Sequence, residues 1–571
     1  MKNSLPVLVV GAGPTGLALA TELRKRGLEC RIIDQASDRP ANQARALTLW
    51  PGALDVLARH GTAEEVVDAG LRMNAARYWS RGKNVASVSF GDAPGGGPAM
   101  LGITQPAVEA VMIRRLAELG LDVEWRTTLV TLADQGDRVL VRLAGPGGEE
   151  EFTASWVVGC DGAHSSVREL CGIPFAGRTY SRSFVLGDGA IDGPVPRGEA
   201  HYHLHPDGVL VVVSLPSGDL RVFADATKVG ALDASPTIED LQRLADDRAP
   251  YRLDIKELRW STRFLVHMRQ AASYRSGRCL LAGDAAHVHS PAGGQGLNTG
   301  IQDAANLGWK LSLILQGSGH ADRLLESYEA ERSPVAAQVL KGAHLQTRLW
   351  TVRSPVARFL RDRLLSTLGR TGILQRRFIP QLAQDDLDYR RSPVVGPHGG
   401  RRALGARGLP DTVVTRAADG GHVRLRQVLS DDRHILLVLA GADGADSAPV
   451  RAAVSAAAPL ADRLVVRVLV GGPGGREASP AAAPAAGEVY ELPDGYAPQG
   501  ALSGCKLVLV RPDGYVAGAS ATFDVEPLID VLGTGAREPV AAAPGTTVAA
   551  SETTAVASET IAVASDTTAD R

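Results

Sequence analysis

The sequence predicts an α/β protein: a Rossmann-like dinucleotide-binding domain, a β-rich domain inserted into it, and a further α/β domain towards the C-terminal end. Three observations predict it. A glycine-rich strand-to-helix turn stands at residues 5–20, a second stands at 278–298, and between them short strands dominate.

The first turn reads Leu5-Pro6-Val7-Leu8-Val9-Val10-Gly11-Ala12-Gly13-Pro14-Thr15-Gly16-Leu17. An apolar, mostly β-branched run stops at Gly11, and a helical pattern starts within a few residues. Gly11 permits the tight turn, Gly13 lets backbone approach a pyrophosphate, and Gly16 lets helix pack on strand, with the phosphate at the helix's positive end. Pro14 suits a first helical turn, where a missing N–H is no loss. The following strand, Cys30-Arg31-Ile32-Ile33-Asp34, ends on a carboxylate at the spacing of a ribose-binding acid. The fingerprint predicts a dinucleotide and does not choose between FAD and a nicotinamide.

The composition removes several classes. The chain has 571 residues, room for roughly three or four domains, and is 44% hydrophobic. A net charge of −2 offers no basic surface for nucleic acid, and 5% aromatics offer no base-stacking platform. Five cysteines, Cys30, Cys160, Cys171, Cys279 and Cys505, include no Cys-x-x-Cys pair, which suits a reducing compartment. No stretch approaches the roughly 18 uninterrupted apolar residues of a membrane span, and no leader pattern precedes the first strand. A cytoplasmic protein without nucleic-acid or membrane partners is the expectation.

Along the chain, Arg45 precedes a helical pattern through Leu54, Val56 and Leu57. Alone, it reads equally as a solvated loop arginine. Gln105 introduces the helix of Val108, Val111, Met112 and Leu116, where an amide reaches a cofactor or simply caps. From 123 to 158 the pattern alternates as strands do and leads to Val158-Gly159-Cys160-Asp161-Gly162-Ala163-His164-Ser165-Ser166-Val167-Arg168. By themselves Asp161 and Arg168 read as a structural ion pair. Residues 176–273 are rich in short strands and form the candidate substrate domain. His201, His203 and His205 share one strand face there, but no carboxylate or cysteine partner stands nearby in sequence, so no metal site is expected.

The second glycine-rich segment is Leu280-Leu281-Ala282-Gly283-Asp284-Ala285-Ala286-His287, followed by Ser290-Pro291-Ala292-Gly293-Gly294-Gln295-Gly296-Leu297-Asn298. A strand ends at Gly-Asp, a loop crosses over, and a helix begins near Leu297. Its amides at a helix N-terminus suit an anion, and Asp284 suits hydroxyls. The pair fits a ribityl chain and a flavin whose reduced form is anionic.

These four segments, in this order, resemble the FAD-dependent aromatic hydroxylases with the para-hydroxybenzoate hydroxylase fold, the class A flavoprotein monooxygenases. The resemblance covers roughly residues 5–390, including Tyr328-Glu329-Ala330-Glu331-Arg332-Ser333-Pro334, and the Gly283–Gly300 segment looks most like the branch acting on phenols and aromatic polyketides. It implies that Gly11, Gly13, Pro14, Thr15, Gly16 and Asp34 hold the pyrophosphate and ribose of FAD. Arg45 and Gln105 would contact the cofactor, Gly283 and Asp284 the ribityl chain, and Pro291, Gly294, Gly296, Leu297 and Asn298 the flavin. Asp161 and Arg168 match a motif tied to both FAD and NAD(P)H. The implied reaction consumes NADPH or NADH and O2, and places one oxygen, activated at flavin carbon C4a, on a phenolic, polycyclic substrate. No catalytic side chain is assigned, because a phenol activates itself on losing its proton. Baeyer–Villiger insertion into a ketone and a non-catalytic flavoprotein are the alternatives; the Trp-x-Trp of flavin halogenases is absent.

The expected domains are 1–175, the first part of the FAD-binding domain, with substrate-domain strands near 76–104; 176–273, substrate; 274–395, the second FAD-binding part with long helices; 396–536; and a disordered tail, 537–571. Val510-Arg511-Pro512-Asp513-Gly514-Tyr515-Val516-Ala517 resembles the end of the thioredoxin-like domain of the phenol hydroxylase branch. Without Cys-x-x-Cys its role is structural or oligomerising, which leaves a homodimer open.

Overall fold

Val7, Leu8 and Val9 are fully buried because the strand that carries them, Ser4–Val10, is central and covered on both faces. It pairs in parallel with Cys30–Ile33 on one side and with Gly148–Gly159 on the other, and the latter pairs in parallel with Cys279–Leu281. Helix Pro14–Lys25 packs on this sheet, and helix Gly296–Leu315 packs on that helix. The carboxyl ends Val10, Ile33, Gly159 and Leu281 therefore lie along one edge, where open α/β sheets bind ligands. The computed structural model describes residues 4–532 apart from 38–46, 92–97, 228–234, 292, 318–319, 385, 397–405, 410, 430–431, 442–443, 472–487 and 494–503. Arg45 and the tail 537–571 lie outside the described residues.

A second sheet of eight strands is built mainly from the middle of the chain. Its order is His287–Val288, Asp254–Ala271, Phe175–Asp192, Leu220–Asp225, Gly208–Ser214, Glu199–His205, Ala75–Ser80, Lys83–Ser89. A small third sheet joins Thr48–Leu49 and Leu71–Arg72 to Leu101–Gly102.

One face of the Glu199–His205 strand holds the sequence-predicted histidines. A carboxylate partner, not expected from the sequence, is two residues upstream: Glu199 lies 3.0 Å from His201 Nε2 and is paired with Arg77. An ionised carboxylate only accepts, so His201 Nε2 carries the proton and its bare Nδ1 accepts from the Tyr251 hydroxyl at 2.7 Å. That hydroxyl oxygen accepts in turn from His203 Nε2 at 3.0 Å. Both ring nitrogens of His201 and Nε2 of His203 are thus engaged in a hydrogen-bonded chain, while His203 Nδ1 is buried without a partner. His205 sits instead with Asp207 and Asp247, whose carboxylate oxygens are 3.9 and 3.7 Å from its Nδ1.

Burial pulls His203 down to about 3 and His434 down to about 4. Both lie below the roughly 6.5 of a free imidazole, so below pH 6.5 the unfolded chain binds protons that the folded chain refuses. Stability is lost as pH falls from 6.5 towards the folded values, about 2 kcal/mol per histidine between pH 7.5 and 5. Thermal melts should step downwards over that range, and His203→Leu should flatten the slope. A melting temperature unchanged down to pH 5 contradicts this.

Two long helices, Ala321–Trp350 and Pro355–Arg370, follow the glycine-rich loop. The C-terminal region carries a seven-stranded sheet ordered His422–Arg424, Val413–Arg416, Glu488–Glu491, Leu464–Val470, His434–Gly441, Leu507–Val510, Val516–Ser520. Among the described residues, no helix is long and apolar enough to cross a membrane.

Candidate cofactor and substrate site

Gly11 turns the chain with φ +101°, and its N–H donates to Ile33 O at 2.8 Å. A Cβ on Gly16 would stand 1.9 Å from Gly11 O, so helix and turn touch main chain to main chain. Over Gly13 a Cβ would meet nothing within 4 Å. That open surface faces the start of Pro14–Lys25, where the helix dipole favours an anion. Asp34 adjoins it: Ala12 N donates to its Oδ2 at 2.7 Å and Ala36 N to its Oδ1 at 2.8 Å. Each carboxylate oxygen keeps a lone pair for a sugar hydroxyl. The tight turn, the open amide surface and the acid fit a dinucleotide pyrophosphate and ribose.

The second glycine-rich segment meets the first at Thr15. Its side chain occupies the space left by Gly283 and Gly300, where a Cβ would stand 2.4 and 2.2 Å from Thr15 Oγ1. Asp284 is exposed, on the short turn Gly283–Ala285. A Cβ on Gly296 would lie 3.9 Å from Asp284 Oδ1 and 3.7 Å from His289 Nε2. The helix starts at Gly296, one residue before the sequence-based estimate, with Leu297 half-buried. Pro291, exposed, accepts from Gly294 N at 3.0 Å, which curls the loop. Asn298, fully buried, accepts from Trp50 N at 2.7 Å and donates to Thr48 O at 2.9 Å and Gly294 O at 2.8 Å. The small sheet brings Gln105 to this place, since Ile103 N donates to Leu47 O at 3.0 Å. Gln105 is the first residue of helix Gln105–Glu118 and donates to Glu109 Oε1 at 2.8 Å.

Asp161 and Arg168 are not the structural ion pair that their spacing suggests. Asp161 Oδ2 accepts from Val167 N at 3.2 Å, at the start of helix Ser166–Leu170. The Arg168 guanidinium donates to the Ala163 and Ala285 carbonyls at 2.9 and 3.0 Å and lies 4.0 Å over the Phe175 ring. It ties the Asp161-Gly162 turn to the Asp284 turn, because carbonyls there need a buried donor.

Sequence reasoning missed the groups behind this surface. Asp303, fully buried one turn and a half after Asn298, accepts from Gly283 N at 3.1 Å, pairs with His287 Nε2 at 2.7 Å and pairs with Arg332 Nε at 2.5 Å. Although burial opposes ionisation, Arg332 and His287 hold its carboxyl below the usual carboxylate range. Arg332 also donates to Thr299 O at 3.2 Å and to the Tyr389 hydroxyl oxygen Oη at 2.8 Å. The signal was present in Tyr328-Glu329-Ala330-Glu331-Arg332, which the sequence left without a role. His289 was missed too. Burial pulls it down to about 4, its Nδ1 donates to Ser290 O at 2.8 Å, and Nε2 is a buried acceptor without a partner. That lone pair suits a cofactor hydroxyl.

Beside the loop stands an aromatic wall on the sheet face opposite His201. Tyr78 and Tyr202 stack at 4.9 Å, Phe184 and Phe223 at 5.2 Å, and Trp350 touches both Tyr202 and Phe223. Tyr202 and Val213 also pack on the cluster of Trp50, Met73, Met100 and Ala200, which links the wall to Asn298. Burial pushes the Tyr202 phenol up to about 12 and Tyr78 higher, so both are protonated donors at neutral pH. A separate cavity of about 270 Å³, lined by Asp55, Arg59, Gln302, Gln384, Arg426 and Tyr515, includes none of the cradle glycines.

The tight glycine turn with Asp34 suits a dinucleotide, the amide-rich loop at a helix N-terminus suits an anion, and the apolar aromatic wall beside it suits flat rings. Residues 4–343 match the family model described as FAD binding domain, and the chain belongs to that family, as an FAD-dependent monooxygenase. It is similar to the 6-methylpretetramide 4-monooxygenase of Streptomyces rimosus, 35% identical over 460 residues, which are 78% of this chain and 81% of that protein. A 12-dehydrotetracycline 5-monooxygenase/anhydrotetracycline 6-monooxygenase of Streptomyces rimosus subsp. rimosus is 31% identical over 537 residues, 90% of this chain and 95% of that one. Among solved structures, an aromatic hydroxylase from angucycline biosynthesis matches with a TM-score of 0.72 at 30% identity, covering 90% of this chain and 96% of that chain.

Proposed function

We propose that this enzyme hydroxylates a phenolic ring of a polycyclic aromatic polyketide, with electrons from NADPH or NADH. The observation that carries this is the aromatic wall of Tyr78, Tyr202, Phe223 and Trp350 joined to the Asn298 loop through Trp50. Flat fused rings stack on such a surface. The relatives named above, monooxygenases of 6-methylpretetramide and of 12-dehydrotetracycline and anhydrotetracycline and an aromatic hydroxylase from angucycline biosynthesis, support the same substrate class.

FAD, when bound, supplies hydride acceptance from the nicotinamide and the activation of O2. This chain's residues bind and orient. In our assignment Gly11, Gly13, Pro14, Thr15, Gly16 and Asp34 hold the pyrophosphate and adenosine ribose, and Gln105, Gly283, Asp284 and His289 take the ribityl hydroxyls. Pro291, Gly294, Gly296, Leu297 and Asn298 present the pyrimidine edge with amides at a positive helix end, which favours an anionic flavin. Asp161 and Arg168 shape the adjoining turn, where the nicotinamide would approach, and Arg45 belongs to the same set by its motif. Tyr202 and Tyr78, held protonated, donate hydrogen bonds to substrate oxygens, and the wall excludes water from the reacting carbon.

We further assign residues 396–536 to a thioredoxin-like domain, after FAD-binding parts at 1–175 and 274–395 and a substrate domain at 176–273. The parallel pair His434–Gly441 and Leu464–Val470, joined across helix Ala448–Ala457 and extended by the antiparallel hairpin Leu507–Val510 and Val516–Ser520, supports this.

The test is NADPH oxidation in air across polycyclic phenols, with product mass read under ¹⁸O2. Stimulated oxidation and one labelled ring hydroxyl are expected. A labelled lactone would replace hydroxylation by Baeyer–Villiger insertion, and no stimulation by any such phenol would sink the proposal.

A further inference from the structure

The hairpin turn of the C-terminal region reaches the helix that begins at the flavin loop. Between strands Leu507–Val510 and Val516–Ser520, Arg511 N donates to Tyr515 O at 2.8 Å and Gly514 N to Arg511 O at 2.9 Å, so the turn is held rigidly. Asp513, 5% exposed, projects from it. Its Oδ2 accepts from Trp309 Nε1 at 3.1 Å and Asn306 Nδ2 at 3.3 Å, both on Gly296–Leu315. Arg511, fully buried, is bidentate on Glu331 at 2.7 and 2.9 Å, donates through Nε to Asp513 Oδ1 at 2.9 Å, and lies 5.2 Å over the rings of Trp309 and Tyr389.

Glu331 continues the connection. It accepts from Asn306 Nδ2 at 2.6 Å and from Lys310 Nζ at 3.0 Å. Its neighbour Arg332 holds Thr299 O and Asp303. The helix is thus gripped along one side at Thr299, Asp303, Asn306, Trp309 and Lys310. Formal charges in the buried set balance, with Arg332, Lys310 and Arg511 against Asp303, Glu331 and Asp513. Such a set fixes geometry strictly, because a small displacement leaves a buried charge unpaired.

We propose that Asp513 and Arg511 are positioning residues of the flavin site: they fix the axial position of helix Gly296–Leu315 and thereby the aim of its first amides at the flavin's pyrimidine edge. This gives the C-terminal region a part in the oxidation chemistry without any redox group of its own. It rests on the cofactor assignment proposed above.

The test uses full-length holoenzyme and compares Asp513→Asn and Trp309→Phe with wild type. Asp513→Asn keeps the shape and an acceptor oxygen but unbalances the charges; Trp309→Phe removes one bond to Asp513 and no charge. The readouts are the FAD dissociation constant and the two-electron midpoint potential of bound flavin. A misaimed helix end holds the anionic reduced flavin less well. The expected loss for Asp513→Asn is about tenfold in reduced-over-oxidised preference, or about 30 mV more negative, with a smaller change of the same sign for Trp309→Phe. Potentials equal to wild type in whichever variant folds would overturn the proposal, even if melting temperatures fall. Failure of the wild type to bind FAD would instead remove the cofactor assignment.

Discussion

Asp303→Ala is expected to produce protein that has lost most of its flavin and melts at a distinctly lower temperature. The carboxylate is fully buried and receives Gly283 N, His287 and Arg332. Deleting it leaves the Arg332 guanidinium, itself fully buried, with only neutral acceptors at Thr299 and Tyr389. Breaking a buried ion pair from one side costs about 3–5 kcal/mol. The loss falls on the cradle in particular, because Gly283 precedes Asp284 and the helix carrying Asp303 begins at Gly296. Asp303→Asn should lie between the two proteins, since it can keep one hydrogen bond while the charge is lost. The measurement is flavin-to-protein absorbance after gel filtration, with a melt of the same sample. Full flavin content in Asp303→Ala would show that the two loops hold their places without this link.

The second large effect separates folding from binding at one turn. Gly16→Ala places a Cβ 1.9 Å from Gly11 O, a main-chain atom that no rotamer change can move. The strand-to-helix turn must open, and poor folding together with loss of FAD is expected. Gly13→Ala, three residues earlier, places its Cβ where nothing lies within 4 Å. That apoprotein should fold and melt like the wild type yet bind FAD at least about tenfold more weakly, if the pyrophosphate sits over Gly13 as assigned; tenfold corresponds to about 1.4 kcal/mol. The contrast is read by FAD titration of apoprotein and by apoprotein melts. Unchanged FAD affinity in Gly13→Ala would move the pyrophosphate off this surface.

How much of this was legible in the sequence follows from how local each feature is. The first turn was legible because strand, glycines, helix and Asp34 all lie within one βαβ unit, where spacing and geometry are the same information. The Gly283–Asn298 loop was legible for the same reason. Asp303 was not, because its partners Gly283, His287 and Arg332 are scattered over 50 residues of chain, and an Asp on an apolar helix face looks like any surface acid. Asp161 and Arg168 misled by proximity. Seven residues apart with opposite charges they suggest a pair, but the turn offered unsatisfied amides to the one and unsatisfied carbonyls to the other. The histidines of Glu199–His205 were read on the correct face, yet Glu199 on that same face was overlooked, and it decides which ring nitrogens carry protons.

The order of the parallel strands has a consequence for how the enzyme is made. The cradle draws its first wall from residues near position 16, its second from near 283, and the ties behind it from Arg332 and Asp513. At ribosomal speeds of about 5–20 residues per second, the last of these emerges roughly 25–100 s after the first. Until the residues near 283 emerge, the nascent chain displays only the first of the two glycine-rich turns. Flavin capture is therefore a property of the finished polypeptide, and a chain cut short before the second glycine-rich loop should leave the ribosome colourless.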